Sequence, residues 1–234
     1  KQKGLLYAGT ETGMYISFND GKNWKPFQLN LPIVPITDLT IKENSLIVAT
    51  QGRSLWMIDD LTVIHQLYNA DKSANILFKP KDTYRMGGRA VKGSKINGTN
   101  LASGVITYFN LNKYDEKDEV SLTYFDTKGD TIKTFTTKDK KNKLTIEKGT
   151  NQFVWDMIYD GADSFPGLIM WSGSLRGPRA VPGNYKVSLN VNGETLSQPF
   201  TILADPRAES TLEDMKKQFA FIKDINKFTN KGFR

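Results

Sequence analysis

The fold of the first part of this 234-residue chain is decided by the stretch LLYAGTETGMYISFNDGKNW, residues 5 to 24. It predicts a strand over residues 5–10, a tight turn at Thr12-Gly13 and a second strand over residues 14–18. A second turn follows, because Asn and Asp side chains bond to the backbone two residues on and Gly21 tolerates a bent chain. We expect Trp24 to begin a third strand and to anchor this turn on a core.

A related pattern returns about 40 residues later, a spacing that is typical of one propeller blade. Residues 46–50 echo residues 6–10, and residues 54–60 echo residues 13–19. Two such units do not close a ring, which needs roughly four to eight blades. A strand also begins almost at Lys1, so we expect further blades to precede it.

Composition excludes several kinds of site. The chain has no cysteine and a single histidine, His65, so thiolate metal sites, disulfides and a His-based metal site or catalytic triad are excluded. The net charge of +7 is scattered, and its densest run, residues 138–143, contains an acid and no aromatic residue. No apolar segment approaches 18 residues. We therefore predict no cofactor, no metal, no nucleic acid partner and no membrane span.

The second part of the chain predicts another all-β domain. Residues 69–104 resemble a polar connector, which Gly87-Gly88 and residues 97–100 punctuate. The predicted strands beyond it are residues 105–111, 120–125, 131–135, 144–146, 152–157, 183–191 and 198–203. About seven short strands at this spacing, with hairpin turns at residues 126–130 and Asn192-Gly193, favour an immunoglobulin-like β-sandwich over residues 105–205.

The final segment, residues 206–234, predicts a short helix. Ser210 and Glu213 fit a capping box, with Thr211 as the alternative cap. Apolar residues then recur at helical spacing, and we expect Phe219 and Ile222 to pack against β structure.

The first turn resembles a known repeat. The residues Ser17, Asn19, Gly21 and Trp24 look like the Asp-box, or BNR repeat, of sialidases, sortilin-type propellers and xyloglucanases. Asn19 stands where Asp is usual, which keeps the acceptor that braces the turn but loses the charge. This resemblance implies that residues 1–68 are the last blades of an Asp-box β-propeller.

Two further stretches extend the resemblance over nearly the whole chain. Residues 49–60 are similar to the closing-blade motif of large secreted bacterial proteins described as BNR-repeat glycosyl hydrolases or sortilin-like proteins, with Gln51 where those usually have His. Residues 151–156 and 181–187 are similar to the sandwich that follows their propeller. The resemblance implies a secreted, periplasmic or cell-surface location.

No pair of carboxylates has the pattern of a glycosidase. Asp59 and Asp60 are adjacent, so in a strand they point to opposite faces and are better explained as a structural blade-end pair. Arg53 and Tyr15 are residue types that sialidases use, but the other blades of such a site are absent from this sequence. We predict no catalytic residue in this sequence. The alternative that the full-length protein is a glycoside hydrolase stays open.

The long apolar loop of residues 164–179 is the best candidate for binding. Trp171 is suited to stack on a sugar ring, and Arg176, Arg179 and Arg53 are suited to bind an anionic group. The alternative is that this loop docks the sandwich on the propeller and buries Trp171. We expect a non-catalytic part of a larger protein, serving propeller closure and scaffolding, with the rest of the propeller, another chain or a glycan as partner. An accessory part of a polysaccharide-acting hydrolase is the alternative.

Overall fold

The computed structural model describes residues 2–71, 73–86, 101–115, 117–165 and 167–232. Its regular structure is mainly β-sheet, and a 21-residue helix lies near its C-terminal end. By contacts, the chain divides into two compact units, Lys1–Lys72 and Ser73–Arg234. The predicted all-β architecture with a C-terminal helix is therefore confirmed.

Residues 2–71, the described part of the first unit, contain six strands and one short helix. These are β1 Leu6–Thr10, β2 Gly13–Ser17, β3 Lys25–Pro26, β4 Ile36–Lys42, β5 Ser45–Thr50, β6 Leu55–Ile58 and α1 Thr62–Asn69. The strands form two antiparallel sheets, in the orders β1-β2-β3 and β4-β5-β6. The two copies of the predicted repeat, β1 with β2 and β5 with β6, each form an antiparallel pair.

One hydrophobic cluster joins the two sheets of this unit. Its buried members are Met14 of β2, Leu46 and Val48 of β5, and Leu61 just before α1. Along β5 the side chains alternate between the faces of the sheet, so Leu46 and Val48 are buried while Ile47 between them is only half-buried. Burial of this apolar surface is the main term that holds the two sheets together.

The described part of the second unit contains eight strands and the long helix. They are β7 Ile76–Leu77, β8 Thr83–Tyr84, β9 Val105–Leu111, β10 Val120–Phe125, β11 Thr131–Thr136, β12 Gly149–Trp155, β13 Gly183–Val191, β14 Glu194–Leu203 and α2 Leu212–Gly232. A five-stranded sheet has the order β11-β10-β13-β14-β8, and a three-stranded sheet has the order β12-β9-β7.

Both sheets of the second unit contribute to one core. Alternate residues of β9 and β10 are buried, as strands with one face on a core require. Aromatic rings fill the centre, where Tyr124 stacks on Trp155 at 4.7 Å between ring centroids and Phe200 meets Tyr124 edge-on at 6.1 Å. The hydroxyl of Tyr124 bonds to Thr107 at 2.7 Å, so this buried polar group has a partner.

The predicted boundaries differ from the structure at several places. Strands β9, β10 and β13 begin and end where the sequence predicted, but residues 144–146 form no strand. The segment predicted as a connector contributes β7 and β8 to the sheets of the second unit, since β7 pairs with β9 and β8 with β14. Strands of two residues show too little alternation to be recognised. Gly87-Gly88 and residues 97–100 lie outside the described residues.

The alternative cap starts helix α2. Thr211 Oγ1 accepts a hydrogen bond from the backbone N–H of Asp214 at 3.2 Å, and Asp214 Oδ2 accepts one from the N–H of Thr211 at 3.1 Å. The Thr211 hydroxyl also donates to Asp214 Oδ2 at 2.6 Å, and this bond, followed by the one from the Thr211 N–H, lowers the pKa of the Asp214 carboxyl. The capping box is therefore Thr211 with Asp214 and not Ser210 with Glu213. Among the residues that the structure describes, no helix has both the length and the apolarity needed to cross a bilayer.

Candidate functional site

Residues 157–165 and 167–180 belong to a long hairpin, which connects β12 to β13. Its arms are joined by backbone hydrogen bonds from Ala180 to Met157 at 2.7 Å and from Tyr159 to Pro178 at 3.0 Å. An antiparallel bridge between Ile158 and Arg179 lies within the same ladder. The predicted binding loop is therefore the outer part of a braced hairpin.

Two glycines let the arms of the long hairpin approach each other closely. A Cβ atom added at Gly161 would lie 2.7 Å from the backbone nitrogen of Gly177 and 1.8 Å from the carbonyl oxygen of Leu175. A Cβ atom added at Gly177 would lie 2.1 Å from the carbonyl oxygen of Tyr159. Because backbone atoms are on both sides, only glycine fits at these two positions.

The tip of the long hairpin presents apolar side chains to solvent. Trp171 is 97% exposed, and Phe165, Ile169 and Met170 beside it are exposed as well. Packing within the described part of the second unit leaves Trp171 exposed, and the interpretation in which docking on the propeller buries it stays a prediction. The sequence shows an apolar segment but not its surroundings, and such a segment is more often buried than exposed.

The side chains of the two arginines of the long hairpin make contacts away from its tip. Arg176 Nη2 lies 3.1 Å from Asp156 Oδ2, an exposed ion pair at the start of the hairpin. Arg179 Nη1 donates to the backbone carbonyl of Met86 at 2.9 Å. Trp171 therefore lies at the tip, and the side chains of both predicted arginines already have partners elsewhere.

Sequence analysis did not single out Arg85, which lies beside this hairpin. Its Nε donates to the carbonyl of Ala180 at 2.9 Å, and its Nη2 lies 3.5 Å from Gln218 Oε1 of α2. Burial, and next the positive charge of Arg179, lower the pKa of Arg85. Arg85 therefore links β8, the hairpin and α2, a role that no local pattern reveals because the partners are far apart in sequence.

Helix α2 packs against the base of the long hairpin. Phe219 meets Tyr159 edge-on at 4.8 Å, and Asn230 Oδ1 accepts a hydrogen bond from the N–H of Asp163 at 2.7 Å. Phe219 and Ile222 are half-buried, and Phe219 packs on Tyr159, a residue of the hairpin that lies outside the strands, so the predicted burial against β structure is not found for either side chain in full.

A groove of about 550 Å³ lies between α2 and the hairpin base, and we call it the helix groove. It is lined by Asp160, Gly161, Lys223, Asp224, Asn226, Lys227, Asn230 and Lys231. Sequence analysis missed this groove. The available signal was Asn226, a polar residue in the apolar stripe of a predicted helix.

Side-chain hydrogen bonds brace the turn that follows β2, and the bond that Asn19 accepts from the backbone comes from an N–H group four residues on rather than the expected two. Ser17 Oγ donates to Asn19 Oδ1 at 3.1 Å and accepts from the N–H of Gly21 at 2.9 Å. Asn19 Oδ1 also accepts from the N–H of Asn23 at 2.8 Å. Since Asn19 Oδ1 acts as an acceptor in both of its bonds, a carboxylate oxygen is able to replace it.

Trp24 differs from its prediction, because it is 42% exposed and is not a member of the core cluster. It lies over the turn, where its Cζ2 atom would be 3.9 Å from a Cβ atom at Gly21. The ring therefore covers the turn itself without reaching the core of the unit.

Arg53 lies in the turn between β5 and β6 of the first unit. Its backbone carbonyl accepts a hydrogen bond from Trp56 Nε1 at 2.8 Å, and its side chain is exposed.

The candidate carboxylates have structural partners. Asp60 Oδ1 accepts hydrogen bonds from Asn44 Nδ2 at 2.6 Å and from the N–H of Thr62 at 2.9 Å, so it holds the start of α1. Asp126 Oδ1 accepts from the N–H groups of Lys128 and Asp130 within its own turn. Across the described ranges, no three His, Cys, Asp or Glu residues come together as a metal site.

Comparisons of the chain with protein-family models, with curated proteins and with solved structures return no match.

Proposed function

We propose that this chain is a non-catalytic binding and scaffolding part of a larger secreted or cell-envelope protein with an Asp-box β-propeller. Residues 1–68 would then be terminal blades and residues 105–205 an immunoglobulin-like sandwich. The assignment rests on the motifs at Ser17–Trp24 and at residues 49–60. The side-chain bonds of Ser17 and Asn19, together with two antiparallel hairpins about 40 residues apart, support it.

The observation that carries the scaffolding role is the outer face of the β4-β5-β6 sheet. Leu55 and Met57 of β6 are 72% and 58% exposed, and their cross-strand partners are Ala49 and Ile47 of β5. Four apolar side chains therefore share one face of the sheet. Two of them belong to β6, which is an edge strand of this sheet. Exposed apolar patches of this kind mark interaction sites, and sheet edges pair with other strands. A neighbouring blade or another protein chain would cover this face.

The tip of the long hairpin supports a second binding role, toward a glycan. Trp171 offers both faces of an indole ring to solvent at the end of a hairpin whose arms are fixed by backbone bonds. Fixing the hairpin in advance reduces the entropy that binding would cost. Arg176 and Arg179 are engaged in the hairpin arms, so the proposed sugar contact is Trp171 itself.

Affinity electrophoresis through gels that contain single polysaccharides tests the glycan role. We expect at least one polysaccharide to retard the chain, and Trp171→Ala to abolish the retardation. Phe221→Ala is the matched control, because Phe221 is an exposed aromatic residue elsewhere in the same unit. Unchanged migration through the whole panel would contradict the glycan role.

The same panel distinguishes the alternative, an accessory part of a polysaccharide-acting hydrolase. A scaffolding part releases no reducing ends from any polysaccharide. Release of reducing ends that a single Asp→Asn change abolishes would favour the hydrolase and contradict the non-catalytic proposal.

A further inference from the structure

Three lysines line the helix groove at a spacing of four residues. Lys223, Lys227 and Lys231 follow one face of α2, with successive Cα atoms rising by about 6 Å along the helix axis. Lys223 Nζ lies 5.9 Å from the ring centre of Phe219, and Lys231 Nζ lies 6.0 Å from that of Phe228. These distances are at the outer limit of a cation–π contact, and such a contact does not neutralise the charge of the ammonium group.

The carboxylates of the groove leave this positive charge in excess. Asp160 is paired with Lys133, which lies outside the lining, at 3.1 Å. Within the described part of the chain, no carboxylate lies within ion-pair distance of Lys223, Lys227 or Lys231. By contrast, Lys217 on the same helix pairs with Glu213 at 3.1 Å. Asp224 is the second carboxylate of the lining, so three ammonium groups face one carboxylate that is not paired elsewhere.

The second observation is independent of charge and concerns Asn226. This side chain is only 8% exposed, lines the groove, and its Nδ2 group makes no hydrogen bond to any described residue. Buried amide groups nearly always have partners, because a buried N–H without one has lost its water. The Nδ2 atom itself has almost no accessible surface, so an acceptor that enters the groove from outside the chain would satisfy it once the Asn226 side chain turns toward the groove.

We propose that the helix groove binds an oxyanion of the carboxylate, sulfate or phosphate class. The Asn226 amide is the neutral donor at its floor, and Lys227 is the central cation, with Lys223 and Lys231 on either side. Asp224 in the lining disfavours a long polyanion such as nucleic acid and favours a single anionic group. The volume of about 550 Å³ is in the range of small-molecule sites, so a monosaccharide that carries an acid group fits as well as a bare ion.

This inference uses residues other than Trp171 and does not depend on the proposed glycan contact. The two sites lie at different parts of the long hairpin, since Asp160 and Gly161 of its base belong to the groove while Trp171 is at its tip. Failure of one leaves the other standing.

Titration of the ¹⁵N-labelled chain by NMR tests the site. The probes are sodium glucuronate, sodium sulfate and sodium phosphate, each at an ionic strength matched with sodium chloride, and glucose is the neutral comparison. We expect saturable shifts of the Asn226 side-chain amide signals with at least one of the salts and none with glucose. The salt that binds most tightly identifies whether an acid sugar or an inorganic anion is preferred.

Substitutions separate a built site from general attraction to lysines. Asn226→Leu and Lys227→Gln should each weaken binding about tenfold, the loss expected when a hydrogen bond to a charged group is removed. Lys216→Gln is the matched control, because it removes the same charge from an exposed position of α2 outside the groove. If Asn226→Leu does not fold, Lys227→Gln at an exposed position still decides the question. No saturable shift with any salt, or equal weakening by Lys216→Gln and Lys227→Gln, would overturn the proposal.

Discussion

The ring of Phe219 meets the ring of Tyr159 edge-to-face, with 4.8 Å between centroids and 80° between planes. This contact joins the C-terminal helix to the base of the long hairpin, and the hydrogen bond from Asp163 to Asn230 joins them again. The helix therefore forms one wall of the groove and supports the hairpin that carries the exposed Trp171.

Phe219→Ala should loosen helix α2. Phe219 is half-buried, so its loss should lower the free energy of unfolding by about 2 kcal/mol, less than the 3–5 kcal/mol of a fully buried Phe. Phe221→Ala on the same helix is the control and should cost below about 0.5 kcal/mol, because Phe221 is 66% exposed. Urea denaturation and hydrogen exchange of the α2 amides measure both effects. Equal effects of the two changes would contradict the docking of α2 through Phe219.

Gly177→Ala should open the long hairpin. The new methyl group would lie 2.1 Å from the carbonyl oxygen of Tyr159, which is backbone and cannot rotate away. We expect a loss of about 1–3 kcal/mol, the usual cost of overpacking, and faster proteolysis of the hairpin. Gly232→Ala is the control, since no heavy atom lies within 4 Å of a Cβ atom there. A hairpin as protease-resistant as the parent would show that the close approach of the arms is unimportant.

Asn19 tests the turn that resembles an Asp-box. Asn19→Ala removes the acceptor of both Ser17 Oγ and the Asn23 N–H, and should lower the free energy of unfolding by about 1–2 kcal/mol. Asn19→Asp keeps the acceptor and should stay within about 0.5 kcal/mol of the parent at pH 7. Thermal denaturation followed by circular dichroism measures the difference. Equal loss in the two variants would mean that the side-chain acceptor does not brace the turn.

The free energy of unfolding should depend on pH in the alkaline range because of Tyr7. Burial raises the pKa of Tyr7 to about 12 from its ordinary value of 10. Between these values the unfolded chain loses a proton that the folded chain keeps, so stability falls as the pH rises from 10 toward 12. Tyr7→Phe should reduce this fall, which urea denaturation at pH 9 and pH 11 measures.

The same variant should not weaken the fold at neutral pH. The buried hydroxyl of Tyr7 makes no hydrogen bond to any residue that the structure describes, so nothing is lost with it. Tyr185→Phe is the control, because it removes a 2.7 Å bond from its hydroxyl to the carbonyl of Val181 and should cost about 1 kcal/mol at pH 7. A Tyr7→Phe variant less stable than Tyr185→Phe at pH 7 would contradict this account.

The outer face of β6 should tolerate polar residues. Leu55→Ser should change the free energy of unfolding by below about 0.5 kcal/mol, because this side chain points to solvent. Trp56→Ala on the same strand removes a ring that packs on the core and should cost at least about 2 kcal/mol. Chemical denaturation of both variants checks this. If Leu55→Ser proves as costly as Trp56→Ala, the assignment of the exposed face is wrong.

Local pattern predicted most strands of this protein. Alternation with period two is read from consecutive residues, and it located β9, β10 and β13 because one face of each strand is buried. It failed for β7 and β8, which have two residues each, and for residues 144–146. The turn at Ser17 and Asn19 was predictable for the same reason, since its hydrogen bonds join residues at most four apart.

What the sequence determined by itself was therefore most of the strands, the helix at the end and the chemistry of its turns, all of which depend on neighbours in the chain. Only the tertiary structure decided which side chains are exposed and which have partners. It exposed Trp171, paired Arg176 with Asp156 and Arg179 with Met86, and brought Asn226 and Lys227 of α2 to the hairpin base at Asp160. Burial and pairing depend on residues far apart in the chain, 93 positions for the bond between Arg179 and Met86 and 133 for the contact between Arg85 and Gln218, and a local pattern carries no record of such distant partners.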